Sequence, residues 1–146
     1  MDDDLFELEL KLTSTGVSMF MLANEVDATD PHPWWDRPSP NRTGLTIREE
    51  LRRLRDDLCR IEEGWTPAPS DLAKAPVLER WSIVQLDDEP LWRIQAKAYR
   101  FPAFRAGSGI TSMQILAIDL NLTWARDRAH LYALGSPEHP LVANIS

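Results

Sequence analysis

Apolar and polar residues alternate with a period of two through much of the last third of the chain, from Trp81 to Gly135. Successive side chains of a β-strand point to opposite faces, so this period is typical of strands with one buried side. Short polar segments separate the alternating runs, which favours an antiparallel sheet. The sequence predicts strands at about residues 79–86, 91–99, 110–119 and 128–134.

Residues 46–63 carry the clearest helical pattern. Thr46 and Glu49 have the spacing of a capping box, in which each side chain accepts a hydrogen bond from the other residue's backbone. Gly64 follows as a stop signal. Five apolar residues at spacings of three and four share one face: Ile47, Leu51, Leu54, Leu58 and Ile61. This pattern predicts an amphipathic helix with one side on the protein core.

The N-terminal third is less regular. Alternation over residues 5–12, a polar turn and the apolar run 17–22 favour a hairpin, while a helix stays open as the alternative because leucine and glutamate are good helix formers. Four prolines make residues 28–45 irregular. Ser70 is predicted to cap a short helical turn that Pro76 ends.

These elements predict an α+β fold, an amphipathic helix packed on a mainly antiparallel β-sheet in a single domain. Within it, residues 1–45 form an N-terminal hairpin and a Pro/Trp-rich linker. Residues 46–138 form the helix and the antiparallel sheet.

The net charge of −7 lies entirely in the first 63 residues, which contain 15 acidic and 8 basic residues. Phosphate recognition needs lysine and arginine, so direct nucleic-acid binding is not expected. The acidic half serves either solubility or recognition of a basic partner.

The lone Cys59 cannot form an internal disulfide, and the N-terminus is acidic where a signal peptide would be basic. No apolar run reaches the roughly 18 residues that a membrane helix needs. We therefore expect a cytoplasmic protein without a membrane segment, a cofactor or a metal site. His32 lies near several aspartates, but their spacing matches no known metal site.

Two groups of residues are candidates for contact with a ligand or partner. Trp34 and Trp35 lie between prolines, where they either form a recognition segment or pin the linker to the sheet. Arg126, Arg128, His130 and Tyr132 occupy the predicted last strand and its approach. A regular strand would place Arg126, Arg128 and His130 on one side, where they could hold an anion or form cross-strand ion pairs.

Part of the chain resembles an uncharacterised family of short alphaproteobacterial proteins, a domain of unknown function. The similarity lies within residues 51–135, in the segments 58–64 (LCRIEEG), 69–81 (PSDLAKAPVLERW), 109–112 (GITS), 124–126 (WAR) and 132–135 (YALG). The family pattern shows His-Pro where this chain has Phe101-Pro102, and arginine where it has His130. The resemblance implies a shared fold and a bacterial source, and it carries no information about function.

We interpret the chain as a non-catalytic protein–protein interaction module of the bacterial cytoplasm, with a mobile genetic element as one setting. Two alternatives stay open, an acidic inhibitor of a nucleic-acid-binding enzyme of the anti-defence type and a small enzyme or ligand binder centred on the last strand. A charged patch without a pocket would favour the inhibitor, and a concave pocket around His130 would favour the enzyme or ligand binder. The sequence leaves the identity of the partner protein and the oligomeric state open.

Overall fold

One long helix lies against a curled β-sheet in the computed structural model, which describes residues 11–12, 16–27, 29, 31–41, 43–85 and 91–139. The predicted α+β fold with a mainly antiparallel sheet is confirmed. The strands, in chain order, are β1 (Lys11–Leu12), β2 (Val17–Met19), β3 (Val77–Val84), β4 (Arg93–Tyr99), β5 (Ser108–Thr111), β6 (Ile115–Asp119), β7 (Trp124–Asp127) and β8 (Leu131–Leu134). The helices are α1 (Ile47–Glu62) and α2 (Pro69–Lys74), and two single 3₁₀ turns span Ala23–Glu25 and Pro33–Asp36.

The sheet has eight strands in the order β1-β2-β6-β7-β8-β3-β4-β5. All neighbours are antiparallel except β3 and β8, which run parallel with Val77 opposite Ala133. The amide of Ile115 at the start of β6 donates to the carbonyl of Trp92, just before β4, at 2.8 Å. Since β6 and β4 are not neighbours in the sheet, this contact shows that the sheet curls back on itself. This curl gives the sheet an inner and an outer face.

The predicted strand at 110–119 is wrong as a single element, because the chain bends at residues 112–114 and forms β5 and β6. β5 pairs with β4, while β6 pairs with β2 and β7. The Ser112 hydroxyl holds the bend by accepting a hydrogen bond from the Ile94 amide at 2.8 Å. The predicted strand at 128–134 is β8, which begins at Leu131, and the preceding strand β7 was not predicted.

The N-terminal hairpin joins the same sheet. β1 pairs antiparallel with β2, with Lys11 opposite Met19, and β2 in turn pairs with β6. The described residues therefore favour the hairpin over the helical alternative, while residues 5–10 of that prediction lie outside the described residues.

Helix α1 has the predicted cap. The Thr46 hydroxyl accepts from the Glu49 amide at 3.1 Å, and the Glu49 carboxylate accepts from the Thr46 amide at 2.9 Å. These hydrogen bonds stabilise the ionised carboxylate and lower the pKa of Glu49. Gly64 adopts a φ of 101° just after the helix, as the stop signal predicts.

Helix α2 begins differently from the prediction. Its N-cap is Ala68, and the Asp71 carboxylate accepts a hydrogen bond from the Ala68 amide at 2.9 Å. Ser70 therefore lies inside the helix, because Pro69 at the first helical position starts the element earlier.

Two hydrophobic clusters lie on the two faces of the curled sheet. The outer one joins the buried stripe of α1 to β2 and to parts of β6 and β7. Its central residues are Val17, Met19, Leu51, Leu54, Leu58, Ile61, Leu116 and Trp124. The inner one fills the curl with Leu78, Trp81, Ile94, Phe101, Ile115, Ile118 and Tyr132. Among the described residues, no helix combines the length and the apolar character needed to cross a bilayer.

Candidate functional site

A pocket of about 150 Å³ opens where the bend between β5 and β6 faces the turn between β7 and β8. We call it the His130 pocket. Its apolar wall includes Phe101, Phe104 and Ile110, and its polar wall includes Asp127, His130 and Tyr132. The pocket therefore joins aromatic rings to one imidazole and one carboxylate.

Asp127 organises the polar wall. The residue is fully buried, and its carboxylate accepts four hydrogen bonds, which is as many as its lone pairs allow. The donors are the amides of Ala129 (2.9 Å), His130 (2.7 Å) and Met113 (3.2 Å) and the hydroxyl of Tyr132 (2.9 Å). A buried carboxylate thus ties the β7–β8 turn to the β5–β6 bend.

Tyr132 acts as a donor in this arrangement. Burial of the phenol raises its pKa far above the usual range, and the negative charge of Asp127 and the hydrogen bond to it raise it further. The hydroxyl therefore keeps its proton at neutral pH.

His130 is half-buried, and its ring lies against Phe101 with the ring centroids 4.8 Å apart. Burial lowers the pKa of His130, while the nearby Asp127 carboxylate opposes that shift only in part. The imidazole is therefore neutral at pH 7. No residue in the described part of the chain hydrogen-bonds to either imidazole nitrogen, so neither nitrogen is committed to a structural bond there.

The hydroxyl groups of the pocket are already engaged. The Ser112 hydroxyl accepts from Ile94 and donates to the carbonyl of Met113 at 2.7 Å. The Tyr132 hydroxyl donates to Asp127 at 2.9 Å. Neither is hydrogen-bonded to His130, so the described side chains form no nucleophile–base pair here.

Arg126 lies outside the pocket and is only 2% exposed. Its Nε donates to Asp57 of α1 at 3.0 Å, and its Nη1 donates to the backbone carbonyl of Asp127 at 2.8 Å. The predicted common face of Arg126, Arg128 and His130 is wrong, because β7 ends at Asp127 and the turn breaks the strand alternation. Arg128 is exposed and lines a different groove.

The two tryptophans of the linker differ. Trp34 is 49% exposed, and the Arg37 guanidinium lies 4.1 Å from its ring centroid. Trp35 packs against the outer hydrophobic cluster and lines the groove that also contains Arg128. The tertiary structure thus places His130 and Tyr132 in the pocket, Trp35 and Arg128 in the groove, and Trp34 and Arg126 in neither.

Phe101, Phe104 and Asp127 are pocket residues that were not among the candidates chosen from the sequence. Aromatic side chains in a predicted exposed loop were the available signal for the two phenylalanines. The buried position of Glu50 was also not predicted, because a carboxylate beside the apolar stripe of α1 is expected to face solvent. It is only 4% exposed and accepts from the Asn41 amide group at 2.6 Å, which fixes Asn41 at the rim of the pocket.

Two further side chains that can carry chemistry, His32 and Cys59, lie outside the pocket. The Nδ1 atom of His32 accepts a hydrogen bond from the Trp34 amide at 3.0 Å and so caps the 3₁₀ turn Pro33–Asp36. Cys59 is an exposed free thiol on α1. Over the ranges that the structure describes, no three or more His, Cys, Asp and Glu side chains are grouped so as to hold a metal ion.

Comparisons with protein-family models, with curated proteins and with solved structures found no match to this chain. The resemblance to an alphaproteobacterial family therefore stays a prediction.

Proposed function

We propose that this protein is a non-catalytic interaction module of the bacterial cytoplasm that binds a partner protein by receiving one aromatic side chain in the His130 pocket. The proposal rests on the small volume of the pocket and on the aromatic side chains in its wall. A volume of about 150 Å³ is far below the roughly 300–1,000 Å³ typical of small-molecule sites. A single side chain of a partner suits a pocket of this size, as in the central anchors of protein interfaces.

The pocket wall favours an aromatic occupant. Phe101 and Phe104 already meet edge to face, with centroids 4.9 Å apart and planes at 85°. An added ring in this arrangement gains about 0.5–1.5 kcal/mol beyond its buried area. The neutral His130 imidazole offers a hydrogen bond to the polar tip of a tyrosine or tryptophan.

The His130 pocket is the concavity that the enzyme or ligand-binder alternative requires, but the side chains that line it give a catalytic role weaker support. The hydroxyls of Ser112 and Tyr132 are committed to structural hydrogen bonds, and Asp127 has no free lone pair for a proton transfer. The arginines that could stabilise a developing charge point elsewhere. Inhibition of a nucleic-acid-binding enzyme also has weaker support, because α1 contains as many arginines as acidic residues and so carries no net negative charge.

Selection from a random peptide library on the immobilised protein tests the proposal. Recovered peptides are expected to share one aromatic residue that cannot be replaced by alanine. Thr111→Trp should abolish their binding, since Thr111 is an exposed residue at the pocket and a large side chain there would fill it. Lys97→Trp, at an exposed position outside the pocket lining, is the matched control. Peptides that bind Thr111→Trp as well as wild type would show that the pocket is not the anchor site.

A further inference from the structure

Strand β5 forms one edge of the sheet. β4 pairs with it on one side, and no strand within the described ranges of the chain pairs with it on the other. Its sequence, SGIT, contains no charged residue and no proline, which are the residues that often keep an edge strand from pairing with another chain. Gly109 and Thr111 are exposed. The free edge of β5 is therefore open to a further strand.

The hydrogen bonds to β4 determine which backbone groups of β5 point to this free edge. The Ser112 amide, just after β5, donates to the Ile94 carbonyl at 2.8 Å. In an antiparallel pair, residues that bond to the partner strand alternate with residues whose N–H and C=O groups point away from it. Ile110 therefore bonds to β4, whereas the backbone groups of Gly109 and Thr111 point outward. On that side, neither residue has a hydrogen bond to any part of the chain that the structure describes.

The same edge borders the His130 pocket. Ile110 packs against the inner hydrophobic cluster and lines the pocket. The amide of Met113, two residues after β5, donates to the Asp127 carboxylate at 3.2 Å, which joins the end of this edge to the polar wall. Side chains directly opposite each other on neighbouring strands share one face of the sheet, with Cβ atoms about 4.5–5.5 Å apart. A residue opposite Ile110 on an added strand therefore has its side chain at the pocket.

We propose that the partner segment that fills the His130 pocket is an extended peptide, which adds to the edge of β5 as a further strand. This inference rests on the proposed function, because it assigns a conformation to the segment that supplies the aromatic anchor. The peptide backbone bonds to Gly109 and Thr111, and the aromatic residue lies opposite Ile110. Backbone hydrogen bonds supply affinity, and the pocket selects the side chain. A helical segment lacks these bonds, because its backbone groups are paired within the helix.

An N-methyl scan of a peptide tests this conformation on the wild-type protein. The peptide is one recovered by the library selection whose binding Thr111→Trp abolishes, and each derivative carries a methyl group on one backbone nitrogen. Successive N–H groups of a strand point to opposite sides. Methylation should therefore weaken binding about tenfold or more at every second position around the aromatic residue, and about twofold or less at the positions between. Losses at the two neighbours of the aromatic residue indicate an antiparallel added strand, and a loss at the aromatic residue itself indicates a parallel one.

Substitution of Gly109 tests the same edge from the side of the protein. Gly109→Pro removes the outward N–H, and proline is tolerated on edge strands where that group faces solvent. Gly109→Ala keeps the N–H and is the matched control, since a Cβ here meets no atom within 4 Å beyond the adjacent residues. Gly109→Pro should bind the peptide about tenfold more weakly than Gly109→Ala. If Gly109→Pro does not fold, the N-methyl scan decides alone.

The results separate this inference from the proposed function. Similar effects of N-methylation at adjacent positions, or equal binding by folded Gly109→Pro and Gly109→Ala, would overturn strand addition and leave the aromatic anchor in the pocket standing. If every selected peptide binds Thr111→Trp as well as wild type, the proposed function fails and this inference fails with it.

Discussion

The hydroxyl of Tyr132 donates a hydrogen bond of 2.9 Å to a carboxylate oxygen of Asp127, and both residues are almost fully buried. A buried carboxylate is stable only when its oxygens are paired with donors. Tyr132 is the one side-chain donor among the four that this carboxylate has, and it links the inner hydrophobic cluster to the turn that carries His130.

Replacement of Tyr132 by phenylalanine is expected to lower the free energy of unfolding by about 1.5–3 kcal/mol, the range for hydrogen bonds to charged groups. The ring and its packing stay, so the loss reports the hydroxyl. Urea denaturation at pH 7 measures it. Tyr99→Phe, at a tyrosine that is 38% exposed, is the matched control and should stay close to wild type. Equal stability of the two variants would contradict the role given to the Tyr132–Asp127 hydrogen bond.

His130 makes stability depend on pH in the mildly acidic range. Because its pKa is lowered in the folded state, the unfolded chain takes up a proton first as the pH falls below about 6.5. The contribution of neutral His130 to the free energy of unfolding is therefore complete above that pH and is lost as the pH falls. Wild type should therefore lose more stability than His130→Gln between about pH 7 and pH 5. Urea denaturation of both proteins across this range measures the difference, and parallel curves would show that His130 is not desolvated.

The ion pair between Arg126 and Asp57 joins the sheet to α1. Asp57→Asn leaves the buried guanidinium without its charged partner and is expected to cost about 1–3 kcal/mol of folding free energy. Asp56→Asn removes an exposed carboxylate one position earlier and is the matched control. Because the Arg126 side chain is only 2% exposed, salt should screen this pair weakly, and the difference between the variants should persist in about 0.5 M sodium chloride. Loss of the difference in salt would indicate a solvated pair.

Leu54 tests the packing of α1. The residue is 1% exposed in the outer hydrophobic cluster, so Leu54→Ala removes buried methyl groups and leaves a cavity. We expect a loss of about 2–5 kcal/mol in the free energy of unfolding. Arg55→Ala, at the exposed neighbouring position, should change it by about 0.5 kcal/mol or less. Chemical denaturation measures both, and a Leu54→Ala variant as stable as Arg55→Ala would mean that the stripe of α1 is not buried.

Local interactions made α1 predictable. The hydrogen bonds between Thr46 and Glu49 join residues three positions apart, and a helix brings its 3–4 spaced apolar residues to one face whatever they pack against. The same holds for the alternation of β4, where Ile94, Ala96 and Ala98 are buried between exposed Gln95 and Lys97. The sequence therefore identified where these elements lie and which side of each is buried.

Contacts between distant residues decided the site. Arg126 does not line the His130 pocket, and its guanidinium donates instead to Asp57, which lies 69 positions earlier in the chain. No local period encodes that pairing. The bend at residues 112–114 depends on Ser112 meeting Ile94, and it turns one predicted strand into the two that frame the His130 pocket. By itself the sequence determined the helix, most of the strands and the fold class, because those follow from the periods and hydrogen bonds of neighbouring residues. Only the tertiary structure decided which of the candidate side chains share a pocket, because burial and charge pairing depend on partners that the fold brings together from far apart in the chain.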